Sequence, residues 1–307
     1  MRAYYCDHFV LPLPPSHRFP MEKYRLLRAR IAGDFDIELA VPDPATDEML
    51  RRVHTGDYVS SVRSGRLSRE RIRRIGFPWS PQLVERSRRS VGGTVLAARS
   101  ALAEGVSANL AGGTHHAFAD HGDGYCVFND VAVAIRDLQA HDEADRCAVV
   151  DLDVHQGDGT AALFRDDPGV LTVSVHGAGN YPFQKESSDL DIALPDGAGD
   201  HDFLRAVEIA VRRALDHDPD LVFFVAGADP FTGDRLGRLA VTKQGLLERD
   251  ALVFELCGRD GAPVAVVMAG GYAHDIEDTV DIHAATVRAA ARSARRREAA
   301  RTTEAVI

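Results

Sequence analysis

Apolar residues recur along this chain in short runs that end on glycine, aspartate or histidine. Five runs stand out, at residues 107–111, 147–153, 170–176, 221–226 and 263–269. Each is of strand length, nearly unbroken in apolar character and rich in small or β-branched side chains, the pattern of strands buried on both faces. Between them lie segments with apolar positions at helical spacing, at 81–104, 129–140, 202–215 and 242–257. Such strands alternating with amphipathic helices predict an α/β fold on a mostly parallel sheet with helices on both faces. No linker or fixed-period repeat interrupts the alternation, so the 307 residues read as a single domain. Residues 60–81 are arginine-rich and read as an irregular surface loop. The stretch 292–307, with Arg295-Arg296-Arg297, reads as a fraying tail.

Composition narrows the function classes. Apolar content of 45% and charged content of 27% are ordinary for a globular protein. The net charge of -10 implies no basic face for nucleic acid. The apolar runs fall far short of a membrane span, and the first residues lack the apolar core of a secretory signal. Cys6, Cys126, Cys147 and Cys257 form no CxxC pair. They read as reduced thiols of a cytoplasmic protein.

Candidate chemistry gathers where the strands end. Residues 149–159 read VVDLDVHQGDG, an apolar run leading into Asp151, Asp153, His155 and Asp158. Side chains alternate faces along a strand, so Asp151, Asp153 and His155 are expected to point the same way. Carboxylates so close repel, and a divalent cation relieves the repulsion. Asp234, after the run 221–226 and a turn, is expected to complete a site with Asp153 and His155. Two carboxylates and one imidazole suit Zn²⁺, with Fe²⁺ also possible, leaving positions open for water. His115 and His116 follow Gly112-Gly113, and each is open to acid/base, ligand or structural roles. Asp151 and Asp158 can each orient one imidazole. Tyr272, after Gly270-Gly271, can donate a hydrogen bond to a developing oxyanion. Tyr125 and Tyr181 can wall a narrow apolar channel. In open parallel sheets the ligand crevice lies at the carboxyl ends of strands, so these distant clusters can share a site.

The blocks GGTHH (112–116), GDGYCVFND (122–130), DLDVHQGDG (151–159), VSVH (173–176), GADPFTGDRLG (227–237) and AGGY (269–272) resemble, in content and order, the zinc-dependent histone deacetylase family. The segments 12–27 and 176–183 resemble its class IV branch, including bacterial members. The resemblance covers about residues 4–287. It implies the arginase/deacetylase fold, with about eight strands, and hydrolysis of an N-acyl amine, foremost acyl-lysine. It implies one zinc on Asp153, His155 and Asp234, with His115 and His116 as acid/base residues backed by Asp151 and Asp158. Tyr272 would polarise the acyl carbonyl, and Gly124, Tyr125 and Tyr181 would line the acyl tunnel. A structural K⁺ would sit on Asp151, Ser174 and the carbonyls of Asp153, His155 and Val175. Arg18 would border an inner cavity. Gln156 stands where many members carry a second histidine, and residues 56–81 show no counterpart of an acidic rim residue that grips substrate backbone.

Three alternatives stand beside this reading. Acetylpolyamines or longer acyl-lysines fit the same chemistry. An arginase-like manganese ureohydrolase shares the fold but needs a second set of Asp/His ligands. A non-catalytic acyl-ligand binding protein would not need the intact histidine pair and Tyr272.

Overall fold

A computed structural model describes residues 1–304. Its centre is an eight-stranded sheet in the order β2-β1-β3-β8-β7-β4-β5-β6. The strands are β1 (Arg2–Tyr4), β2 (Glu38–Ala40), β3 (Val106–Asn109), β4 (Cys147–Asp151), β5 (Val170–Gly177), β6 (Leu190–Leu194), β7 (Leu221–Val225) and β8 (Val264–Val267). Every pairing is parallel. The helices are α1 (Lys23–Ile31), α2 (Asp47–Arg51), α3 (Gly56–Ser64), α4 (Arg69–Ile75), α5 (Pro81–Glu104), α6 (Asp130–Gln139), α7 (Asp158–Phe164), α8 (Asp200–Leu215), α9 (Lys243–Asp260) and α10 (Ile276–Glu304).

Strand alternation divides the core. Ala148 and Val150 of β4 and Val222 and Phe224 of β7 face α8, α9 and α10 through Phe203, Val253 and Val287. Cys147, Val149, Leu221 and Phe223 face the other way, toward α5 and α6 through Val95, Ala98 and Ile135. The central strands are buried along their whole length, which explains their unbroken apolar sequence. The helices α5 and α6 start where the sequence supplies caps. Ser80 accepts from the Leu83 amide at 3.0 Å with Pro81 in the first turn, and Asn129 accepts from Ala132 at 3.0 Å.

Two expectations are corrected. The arginine-rich stretch is not an irregular loop but carries α3 and α4. Thr55 and Ser68 cap their N-termini, and Gly65 and Gly76 close them at φ 70° and 85°. Tyr58, Val59, Val62 and Ile75 bury one face of this pair while the arginines occupy the other. The fraying tail is likewise absent over the described residues, because α10 runs on to Glu304. Ser293 and Ala294 are buried, and Arg297 donates to the Ala262 carbonyl at 2.8 Å. The last part of the expected tail, 305–307, lies outside the described residues. Among the described residues no helix is long and apolar enough to cross a membrane.

Candidate active site

The carboxyl ends of β3, β4, β7 and β8 deliver four loops to one cavity of about 420 Å³. The loop after β3 carries Gly112 and Gly113 at φ 79° and 74°, which turns the chain so that His115 and His116 lie side by side. Their ring centroids are 4.1 Å apart. Asp130 fastens this loop, accepting from the Gly113 amide at 3.0 Å and the Thr114 amide at 2.7 Å. Each histidine then has its own carboxylate. Nδ1 of His115 lies 2.6 Å from Asp151 Oδ2, and Nδ1 of His116 lies 2.7 Å from Asp158 Oδ1. This fixes the ring orientations and leaves both Nε2 atoms for other work.

The two dyads are electrostatically unlike. Burial disfavours the imidazolium of His115, but Asp151 and Asp153 outweigh it and raise the pKa to about 9. Burial and the charge of His115 drive His116 the other way, to about 4. Near neutral pH one ring is thus charged and its neighbour is not.

β4 ends at Asp151, so Asp153 and His155 do not continue its alternation as expected. Successive carboxylates instead hold amides two residues on. Asp151 Oδ1 accepts from Asp153 at 3.1 Å, and Asp153 Oδ1 accepts from His155 at 2.9 Å. This winding brings Asp153 and His155 against Asp229, whose Oδ1 accepts from the Val154 amide at 2.9 Å. Asp153 Oδ2 accepts from Gly270 at 2.8 Å, tying in the loop after β8. A Cβ on Gly270 would stand 1.9 Å from Asp229 Oδ2, so only glycine permits this approach.

Asp153, His155 and Asp229 are all buried, and a ligand atom from each lies within 4.8 Å of the others. Asp229 Oδ2 is buried without a hydrogen-bond partner, although His155 Nδ1 is 3.2 Å away. Burial, reinforced by the charge of Asp153, raises the Asp229 pKa to about 7. His155 moves up to about 10 as the two carboxylates overcome its burial. An orphaned buried oxygen, a second carboxylate and an imidazole form a donor set that fits one divalent cation.

The third member of the cluster is not the expected Asp234. Asp234 is committed elsewhere, accepting from the amides of Leu236 at 2.8 Å, Gly237 at 3.0 Å and Tyr272 at 2.6 Å. Its place in the cluster is taken by Asp229, four residues beyond the end of β7 and fully buried. Asp234 instead sets the backbone of Tyr272, which is itself buried and lines the cavity. Burial holds the Tyr272 phenol well above its ordinary pKa, so it remains a donor.

Gly124, Tyr125 and Tyr181 line the cavity. Gly124 and Tyr125 have φ 50° and 65°, and a Cβ on Gly124 would meet His116 at 2.7 Å. The Tyr125 ring packs 5.2 Å from Phe77, while Tyr181 sits edge-on to His116 at 5.1 Å. The β4–β5 register sets Asp151 opposite Ser174, with Val175 the next residue along β5. Ser174 Oγ lies 3.0 Å from His176 Nδ1. Gln156 turns away from the cluster and donates to the Glu186 carbonyl at 2.7 Å.

Arg18 is exposed and is not among the described residues that line the small cavity behind the tunnel. Behind the tunnel a small cavity is lined instead by Arg86, with Tyr24, Leu83 and Phe128 among its walls. Lys23 was missed by sequence reasoning. Its buried ammonium donates to the carbonyls of Ala269 at 3.2 Å and Gly271 at 3.3 Å and lies 5.2 Å from the Tyr272 ring centre. No spacing rule points to a lone lysine at a helix start. Asp229 and Asp130 had a signal, each being an acid beside a glycine-rich block.

The arrangement can bind one cation, supply one neutral and one charged imidazole, and aim a phenol into a walled cavity. Comparison with known proteins fits it. The histone deacetylase domain family matches residues 17–288. An uncharacterized protein of Picosynechococcus sp. is 46% identical over 93% of this chain and 97% of its own. Histone deacetylase 2 of Arabidopsis thaliana is 30% identical over 87% of this chain and 72% of its own. The fold matches the crystal structure of an HDAC homolog complexed with SAHA at a TM-score of 0.78 and 24% identity, covering 92% of this chain and 82% of that one. The chain therefore belongs to the histone deacetylase family and is a hydrolase acting on amides.

Proposed function

We propose that the protein removes an acyl group, acetyl or longer, from the side-chain nitrogen of acyl-lysine, with zinc held by Asp153, His155 and Asp229. The observation that carries this reading is the pairing of that cation cluster with two histidine–aspartate dyads, at 2.6 and 2.7 Å, in one cavity. A divalent cation held by these residues would supply Lewis acidity toward the acyl carbonyl and make water more acidic. His116, neutral at pH 7, takes a proton from the attacking water through Nε2 while Asp158 holds its Nδ1. His115, kept cationic by Asp151, stabilises the negative charge gathering in the cavity and is placed to protonate the leaving amine. Tyr272 donates a hydrogen bond to the oxyanion. Tyr125, Tyr181 and Gly124 hold the alkyl stem of the substrate and exclude water from it.

Asp151 with Ser174 opposite it, and the carbonyls of Asp153, His155 and Val175, form the proposed K⁺ site that braces the dyad of His115. The class IV-like placement rests on segments 12–27 and 176–183. Four buried, unpaired cysteines support a reducing, cytoplasmic setting. The test is turnover of acyl-lysine peptides of increasing acyl length by zinc-loaded protein, with and without a hydroxamate chelator. Chelator-sensitive release of free amine is the expected result, and chelator-insensitive release contradicts the reading.

A further inference from the structure

The mouth of the cavity has a charge that the chain as a whole does not. Three exposed arginines, Arg73, Arg74 and Arg238, line it, although the protein carries a net charge of -10. The acids that answer them are few. Asp123, also in the lining, is bonded to Nε of Arg74. Asp196 lies 3.2 Å from Arg238, with both side chains about half exposed, so solvent competes for that pair. Arg73 forms no ion pair among the described residues. Asp153, the other carboxylate of the lining, belongs to the cation cluster below.

The favourable position of cations at a helix C-terminus accounts for Arg73 and Arg74 in the last turn of α4. It does not account for Arg238, which reaches the same mouth from the loop after β7. The basic rim is also held in place. The carbonyls of Arg74 and Ile75 accept from the Gly124 and Tyr125 amides at 3.2 and 2.8 Å, and the Gly76 carbonyl lies 2.8 Å from His17 Nε2. The segment carrying the arginines is thereby fastened to the tunnel wall. Phe183, 81% exposed, adds an apolar surface to the same rim.

We propose that this mouth selects acylated amines bearing a carboxylate close to the acylated nitrogen, as in an acyl-lysine flanked by acidic residues, over those on basic or polycationic scaffolds. The inference rests on the deacylase reading for what enters the tunnel, but it concerns what stays outside it. A positive mouth repels acetylpolyamines and lysine-rich segments and concentrates anionic ones, an effect that falls with salt.

The test uses labelled acetyl-lysine peptides of one length flanked by Asp-Asp, Gly-Gly or Lys-Lys, together with free Nε-acetyl-lysine and its amide. Binding by fluorescence anisotropy and kcat/KM are both measured on the zinc-loaded protein. At low salt the Asp-flanked peptide is expected to exceed the Lys-flanked one on the order of tenfold in both readouts, as two or three exposed ion pairs allow. Raising salt from about 25 to about 250 mM shortens the screening length and brings the ratio toward one. The double variant Arg73→Gln/Arg238→Gln does the same at low salt. A preference for free acetyl-lysine over its amide identifies the α-carboxylate as the group read, and a preference among peptides alone identifies flanking side chains. Equal or reversed binding of the Asp- and Lys-flanked peptides overturns the inference, as does a ratio that neither salt nor the double variant moves. Charge-ordered binding without hydrolysis of any peptide overturns the deacylase reading and leaves the rim standing. Hydrolysis without charge order does the reverse.

Discussion

At the scale of single residues, two aspartates five positions apart divide the labour. Asp229 offers a buried oxygen with no hydrogen-bond partner to the cation cluster, while Asp234 spends its carboxylate on three amides. Asp229→Asn is therefore expected to drop bound zinc well below one per chain. Asp234→Asn should keep the metal but lose about 1–3 kcal/mol of stability from amides left unsatisfied. Metal content by mass spectrometry of the two purified variants checks this, and a metal-free Asp234→Asn protein contradicts the assignment. Tyr272→Phe should bind zinc normally and lose on the order of 10²–10³ in kcat, the usual cost of one oxyanion donor. Full activity in that variant removes the phenol from the chemistry. The sequence showed the acids but not their roles. Both GAD and GD follow the same strand, and which carboxylate turns inward depends on amides contributed by Leu236, Gly237 and Tyr272.

At the scale of elements, the legible parts were those whose local signals and tertiary burial agree. The strands β3, β4, β5, β7 and β8 and the helices α5, α6, α8 and α9 are unambiguous because both sheet faces and one helix stripe are apolar. The outer strands β1, β2 and β6 escaped, being three to five residues long, with Asp191 inside β6 and β2 and β6 at the sheet edges. The helices α3 and α4 were obscured by arginines on their solvent face. One connection between elements carries a pH signature. His54, just past α2, lies 2.9 Å from the Phe118 carbonyl through Nδ1 and accepts the Asn129 amide at 3.0 Å through Nε2. Protonating Nε2 would cost that acceptor. Burial lowers the His54 pKa from 6.5 to about 4. The unfolded chain thus takes up this proton first as pH falls. The stabilisation from His54 is complete above pH 6.5 and is lost as pH drops to about 4, a change of about 3 kcal/mol at 1.4 kcal/mol per unit. Urea denaturation between pH 7 and 4 should show a shallower loss in His54→Gln than in the parent. An identical slope in the two proteins contradicts this account.

At the scale of the whole molecule, the parallel sheet does two things at once. It buries a core on both faces and collects at one edge the loops that hold the acids, imidazoles and phenol. Asp151 at the end of β4, Asp153 in the loop that follows it and Asp229 in the loop after β7 lie within one buried volume. Like charges confined this way oppose folding, and a bound cation offsets them. Zinc at about 100 times its dissociation constant should therefore stabilise the fold by about 2.7 kcal/mol, read as a rise in Tm that the Asp229→Asn variant lacks. An equal rise in that variant would mean that zinc binds elsewhere. The measurement that bears most directly on the central claim titrates zinc into metal-free protein while following release of free amine from an acetyl-lysine peptide. The account predicts activity that grows in proportion to zinc, levels off at one per chain and is abolished by a hydroxamate. No amine release with one zinc bound, or a plateau only at two, would contradict it.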